Sequence, residues 1–139
     1  MRPWIDACYS AGTAGQIVAR LQGCPDPAAQ RAARQILGNS PTAVTVALRA
    51  VRRARQLATL REELDQELRI SAAALDSADL VEGIRAQVID KDRQPSWSPA
   101  TLAEVTSDMV DRYFTPVPVP LESARTGEEG GHAAGAALA

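Results

Sequence analysis

Apolar residues recur along this chain in short bursts three and four positions apart. Each burst is opened by a hydroxyl or carboxylate residue able to cap a helix. Thr13 followed by Gln16 has capping-box spacing and predicts a helix through about Leu21. Asp26-Pro27 sets a carboxylate cap before a proline at the first helical position, and that helix runs to about Leu37 and stops at Gly38-Asn39. Ser40-Pro41 repeats the device, and its helix carries Val44, Leu48 and Val51 on one stripe. Thr59 with Glu62 is a further capping box. Beyond it Leu60, Leu64, Leu68, Ala72 and Leu75 recur at near-helical spacing, with Glu62, Glu63 and Asp65 near the positive end of the helix dipole.

Asp79 with Glu82 opens a shorter helix in which Leu80, Ile84 and Val88 share a face. Gly83 lies inside it, where a glycine costs roughly 1 kcal/mol relative to alanine, so the close approach of another backbone is expected there. Asp90 to Pro99 reads as an extended, charged loop. Thr101 with Glu104 starts a turn or two, and Asp108 to Phe114 forms a last short helix. No segment alternates as a strand would, and no repeat is visible. The pattern thus predicts an all-α fold of short amphipathic helices over residues 1–115, each stabilised by packing its stripe on something else. After Phe114, Pro116, Pro118 and Pro120 alternate with valine as in polyproline II, and Leu121 to Ala139 has no periodicity. Residues 116–139 are expected to form a Pro/Gly/Ala-rich disordered tail.

Composition narrows the picture. Apolar residues make up 45% of the 139 and aromatics only 4%, which favours thin helix-on-helix packing of aliphatic side chains. A formal net charge of −2 leaves no basic excess for nucleic acid. Arg2, Asp6 and Gly12 interrupt any apolar leader, and no run is long enough to cross a bilayer, so a cytoplasmic protein without a membrane partner is expected. Cys8 and Cys24 read as reduced, partly buried small hydrophobes rather than a disulfide framework.

Candidate chemistry is sparse. His132, the only histidine, falls in the tail, which removes histidine-based triads, and two cysteines without a nearby histidine do not make a zinc site. No catalytic residue and no metal ligand is assigned. No glycine-rich phosphate loop joins a strand to a helix. Arg49, Arg52, Arg53 and Arg55 crowd one helix end. They read as a phosphate-binding patch or, preferably, as cations suited to a helix C-terminus that pair with Glu62, Glu63 and Asp65 on the next helix. Glu67 and Arg69 are either an ion pair between subunits or domains or a solvated face. The densest charge cluster is Asp90, Lys91, Asp92 and Arg93, flanked by Ile84, Val88 and Ile89 on one side and by Pro95, Trp97 and Pro99 on the other. A charged loop between rigid apolar anchors suits recognition.

The stretch from Leu80 to Ala100 carries a family signature. Its Glu82-Gly83-Ile84-Arg85-Ala86, Ile89-Asp90-Lys91-Asp92 and Pro95-Ser96-Trp97-Ser98-Pro99-Ala100 resemble the pattern F-x-E-G-V-R-A-x-x-I-D-K-D-x-x-P-x-W-x-P-A of 3-hydroxyisobutyryl-CoA hydrolases, within the crotonase superfamily. Ser40-Pro41-Thr42 resembles the start of the family's preceding helix. Gln66-Glu67-Leu68-Arg69-Ile70-Ser71 resembles its M-E-Y-R-L-S helix, and Trp4-Ile5-Asp6 with Tyr9 fits the segment entering the region. The resemblance covers about residues 4 to 115. Leu80 stands where the family prefers Phe and Leu68 where it prefers Tyr, and both lose aromatic packing.

The resemblance implies the C-terminal helical part of a crotonase fold. The oxyanion hole and catalytic carboxylates belong to a ββα spiral core that precedes this region. It further implies acyl-CoA as the substrate of the intact enzyme, a crotonase core or homologous subunit as the partner, and a CoA-phosphate role for the Asp90–Trp97 loop, with Lys91 and Arg93 as the contact residues. The expected function is that of a fragment or subunit of a 3-hydroxyisobutyryl-CoA hydrolase, inactive without a core. The alternative is a non-catalytic helical interaction module.

Overall fold

The computed structural model describes residues 3–117, and within them every regular element is helical. Helix α1 covers Pro3–Tyr9, α2 Ala14–Gly23, α3 Pro27–Leu37, α4 Pro41–Ala54 and α5 Leu60–Leu75. Helix α6 covers Ala78–Ile84 and runs on into a π-helical turn at Arg85–Ile89. Helix α7 covers Ser107–Asp111 and tightens into a 3₁₀ turn at Arg112–Phe114. The tail reading and His132 fall almost wholly beyond Val117, outside the described residues.

Local hydrogen bonds explain the helix starts. Thr13 and Thr59 both form complete capping boxes with Gln16 and Glu62. Asp26 and Ser40 each accept a backbone N–H from the first turn of a helix that begins with proline. These side chains satisfy N–H groups that the helix itself leaves unpaired. The cap of α6 differs from the sequence expectation, because Ser77 rather than Asp79 accepts from the Leu80 N–H. Helix α1 was not legible, since seven residues with one proline at the start give little periodicity to read.

Two small cores hold the helices. The first joins α1, α2 and α3 through Cys8, Ala11, Ile17, Val18, Leu21, Ala29 and Ala33, with Leu21 wholly buried. Burial, with Cys24 next to it, pushes the Cys8 thiol above its ordinary pKa, so it behaves as a packed hydrophobe. The second core sets Val46 and Ala50 of α4 against Val110 and Phe114, with Ile70 of α5 at its margin. Alanines at the contacts let helix axes approach closely, as the low aromatic content implied.

The stripes do not all point inward. On α4 the buried line is Thr42, Val46 and Ala50; Val44 and Leu48 are half-buried and Val51 is exposed. Helix α5 buries only the polar Gln66, whose Nε2 donates to the Ala50 carbonyl at 3.3 Å. Its leucines face out: Leu60 is 74% exposed, Leu64 55% and Leu75 71%. On α6 and the π-turn Val81, Ile84, Val88 and Ile89 are likewise exposed, and Ala86 takes the buried position.

Candidate functional site

The charged segment that follows α6 is built around one side chain. Arg85 stands at the first position of the π-turn, half-exposed, and its guanidinium fork serves three carboxylates. Nε and Nη2 donate to the two oxygens of Glu82, each at 2.8 Å. Nη1 donates to Asp90 at 2.6 Å and to Asp92 at 2.7 Å, and Nη2 also reaches the Gln94 carbonyl at 3.2 Å. A planar fork with five donors suits such a task, whereas an ammonium could not span these acceptors at once.

The carboxylates are themselves tied to the loop backbone. Glu82 accepts the Ser96 N–H at 2.7 Å, and Asp92 accepts the Gln94 N–H at 2.9 Å. Arg85 and then the Ser96 N–H hold the Glu82 carboxyl down at about 2, and Arg85 followed by the Gln94 N–H lowers that of Asp92. The same bonds, that to Glu82 foremost, raise the Arg85 pKa further. Two backbone bonds complete the turn, from Asp90 N–H to the Arg85 carbonyl at 2.8 Å and from Arg93 N–H to the Ala86 carbonyl at 3.0 Å.

The far end of the loop is pinned separately. Asp79, half-buried, accepts from the Ser40 hydroxyl at 2.5 Å and from the Ser98 N–H at 2.9 Å. Trp97 donates its indole N–H to the Gly38 carbonyl at 3.2 Å. Its ring lies where a Cβ on Gly83 would stand 3.4 Å from it. Gly83 therefore admits an indole ring, not the second backbone that its mid-helix position suggested. The expected anchors Ile84, Val88 and Ile89 are exposed and hold nothing here; the guanidinium of Arg85 does that work electrostatically. The signal was present in the sequence as one arginine among Glu82, Asp90 and Asp92, but periodicity cannot read a turn closed by side-chain charge.

Lys91 and Arg93 emerge from this frame as exposed cations. Both have φ of 56°, the left-handed region that L-residues seldom occupy. Neither has a carboxylate partner among the described residues, while the aspartates interleaved with them are held on Arg85. The other arginine cluster is put to structural use. Arg49 pairs with Asp111 and stands over the Phe114 ring at 4.7 Å, with Arg53 at 5.7 Å from the same ring. Arg52 donates to the Ala11 and Gly12 carbonyls. The ion pairing expected with Glu62, Glu63 and Asp65 is not what forms among the described residues; Arg49 pairs with Asp111 on α7 instead. Glu62 is engaged by the Ala58 and Thr59 N–H groups, which lower its pKa.

The described helices thus carry one charged loop anchored by Arg85 and leave apolar side chains of α5 and α6 exposed. Residues 1–114 match the family model described as enoyl-CoA hydratase/isomerase, and the chain belongs to that family, the crotonases. Among its curated relatives are the mitochondrial 3-hydroxyisobutyryl-CoA hydrolases of Rattus norvegicus and Bos taurus. They are 37% and 39% identical over 110 residues, covering 79% of this chain and 28% of each relative. The chain therefore spans little more than a quarter of their length. Of solved structures, a carnitinyl-CoA dehydratase from Mycobacterium thermoresistibile is 50% identical with a TM-score of 0.78, over 84% of this chain and 33% of that one. An enoyl-CoA hydratase from Rhodobacter sphaeroides 2.4.1 is 37% identical with a TM-score of 0.71, over 77% and 32%. No helix among the described residues is long and apolar enough to cross a membrane.

Proposed function

We propose that this chain is the C-terminal helical part of an acyl-CoA thioester hydrolase, completed by a crotonase core supplied by the rest of the protein or by a companion chain. The observation that carries it is the match to 3-hydroxyisobutyryl-CoA hydrolases, which extends across nearly the whole set of helices. The outward leucine stripe of α5 supports it, as an apolar face that needs a body to cover it. The assembled enzyme would add water to 3-hydroxyisobutyryl-CoA and release 3-hydroxyisobutyrate and CoA, a step of valine breakdown. The core would supply the oxyanion hole and the carboxylates. This chain would close the site, with Lys91 and Arg93 toward the CoA phosphates.

The test is co-expression of this chain with a crotonase core truncated before its own C-terminal helices. Co-elution and release of free thiol from 3-hydroxyisobutyryl-CoA by the complex, and none by the chain alone, support the reading. A second reading, addition or removal of water across a carbon–carbon double bond, is favoured by the 50% identity to a structure titled as a dehydratase. It leaves the thioester intact, so the same assay with an unsaturated acyl-CoA separates the two. A stable monomer that ignores the core points instead to a helical interaction module.

A further inference from the structure

The four residues after the π-turn alternate in charge, and the structure sorts them. Asp90 and Asp92 are bound by Arg85, whereas Lys91 and Arg93 are exposed and without carboxylate partners among the described residues. An unrestrained loop of this sequence would let each aspartate neutralise its neighbouring cation, because adjacent opposite charges attract within a few ångströms. Glu82 occupies the rest of the fork and bonds Ser96, so Arg85 ties both strands of the loop to one point. Both cations sit at a φ of 56°, in the left-handed region that L-residues seldom occupy.

We infer that Arg85 is a positioning residue for a phosphate-bearing ligand. It holds Asp90, Asp92 and the loop so that Lys91 and Arg93 stay exposed and free of those carboxylates, without touching the ligand itself. The inference rests on the reading that this loop faces the phosphates of a CoA thioester. The ligand chemistry is that of clustered phosphates, which two exposed cations two positions apart match and which the remaining pantetheine arm lacks.

The experiment uses the full chain and follows its amide resonances by NMR during titration with CoA and, separately, with pantetheine. Shift perturbation detects binding even at millimolar Kd. The wild-type chain should bind CoA through the amides of residues 90–94 and leave pantetheine unbound. Arg85→Met should weaken CoA binding about tenfold, as should Lys91→Ala with Arg93→Ala. Arg85→Lys should also weaken it, because an ammonium cannot serve all three carboxylates. Adding Asp90→Asn and Asp92→Asn to Arg85→Met should restore part of the loss, the share due to the aspartates competing for the cations. Circular dichroism checks that each variant keeps its helices.

Unchanged CoA affinity in a folded Arg85→Met chain overturns the proposal. So does failure of the two asparagine substitutions to rescue it, which would mean that Arg85 contacts the ligand or only holds the fold. A wild-type chain that ignores CoA sinks the phosphate inference alone, because the hydrolase reading stands or falls on thiol release by the reconstituted complex.

Discussion

At the scale of single residues, the loop's behaviour follows from Arg85 and Glu82. Glu82 has its pKa lowered to about 2 from an ordinary 4.5. A depressed carboxylate contributes stability above its unfolded pKa and loses it as pH falls through the folded value. The clamp should therefore persist through pH 4 and open only near pH 2. A carboxyl-carbon NMR titration should place the Glu82 midpoint near 2 in the wild type and move it up toward 4.5 in Arg85→Met. No upward move would mean that the guanidinium is not what holds Glu82. Gly83 offers a second check. A Cβ there meets the Trp97 ring at 3.4 Å, an ordinary contact, so Gly83→Ala should be tolerated and raise stability by up to roughly 1 kcal/mol through helix propensity. Gly83→Leu should displace the indole, which a change in Trp97 fluorescence would report. The Glu-Gly-x-Arg run was visible in the sequence, but the ring against Gly83 was not, because Trp97 lies fourteen positions away across a loop.

Four helices, α2 to α5, began where the caps said they would. The Thr13 and Thr59 boxes, Asp26-Pro27 and Ser40-Pro41 each set a start that the structure keeps, since a cap needs only groups three or four residues apart. Thr59→Ala should cost about 1 kcal/mol in denaturant unfolding, and a chain unaffected by it would show that α5 is held by packing alone. The end of α6 was harder to read. Its π-turn depends on the Asp90 N–H reaching back to the Arg85 carbonyl, and nothing periodic announces a five-residue hydrogen-bond step. Within the first core, Leu21 is wholly buried among α1, α2 and α3, so Leu21→Ala should destabilise the chain by about 2–5 kcal/mol. A melting temperature unchanged by that substitution would contradict the packing described.

Across the whole molecule, the two cores leave apolar side chains open on α5 and on the segment that follows it. Leu60, Leu64 and Leu75 on α5 are more than half exposed, as are Val81, Val88 and Ile89 beyond it. Substitutions at these positions should leave the lone chain's stability within about 0.5 kcal/mol, since exposed side chains contribute little to its folding. The pair Leu64→Glu and Val81→Glu should nonetheless abolish co-elution with a crotonase core. Retained co-elution on size-exclusion chromatography would place the docking face elsewhere. The isolated wild-type chain should also bind a hydrophobic dye, and the double variant should bind less.

By itself the sequence determined the starts of α2, α3, α4 and α5, the absence of strands among the described elements and the charged loop between Asp90 and Pro99, because each depends on groups close together in the chain. It also carried the motif that marks the family. Only the tertiary structure decided which stripe of each helix is buried. Helical spacing is the same for a face turned to a core and a face turned outward, and α5 turned its leucines out and Gln66 in. Partner choice was decided at the same level. Asp79 bonds Ser40 across 39 positions and Trp97 bonds Gly38 across 59, separations at which the folded path of the chain selects the neighbour and local pattern has no influence.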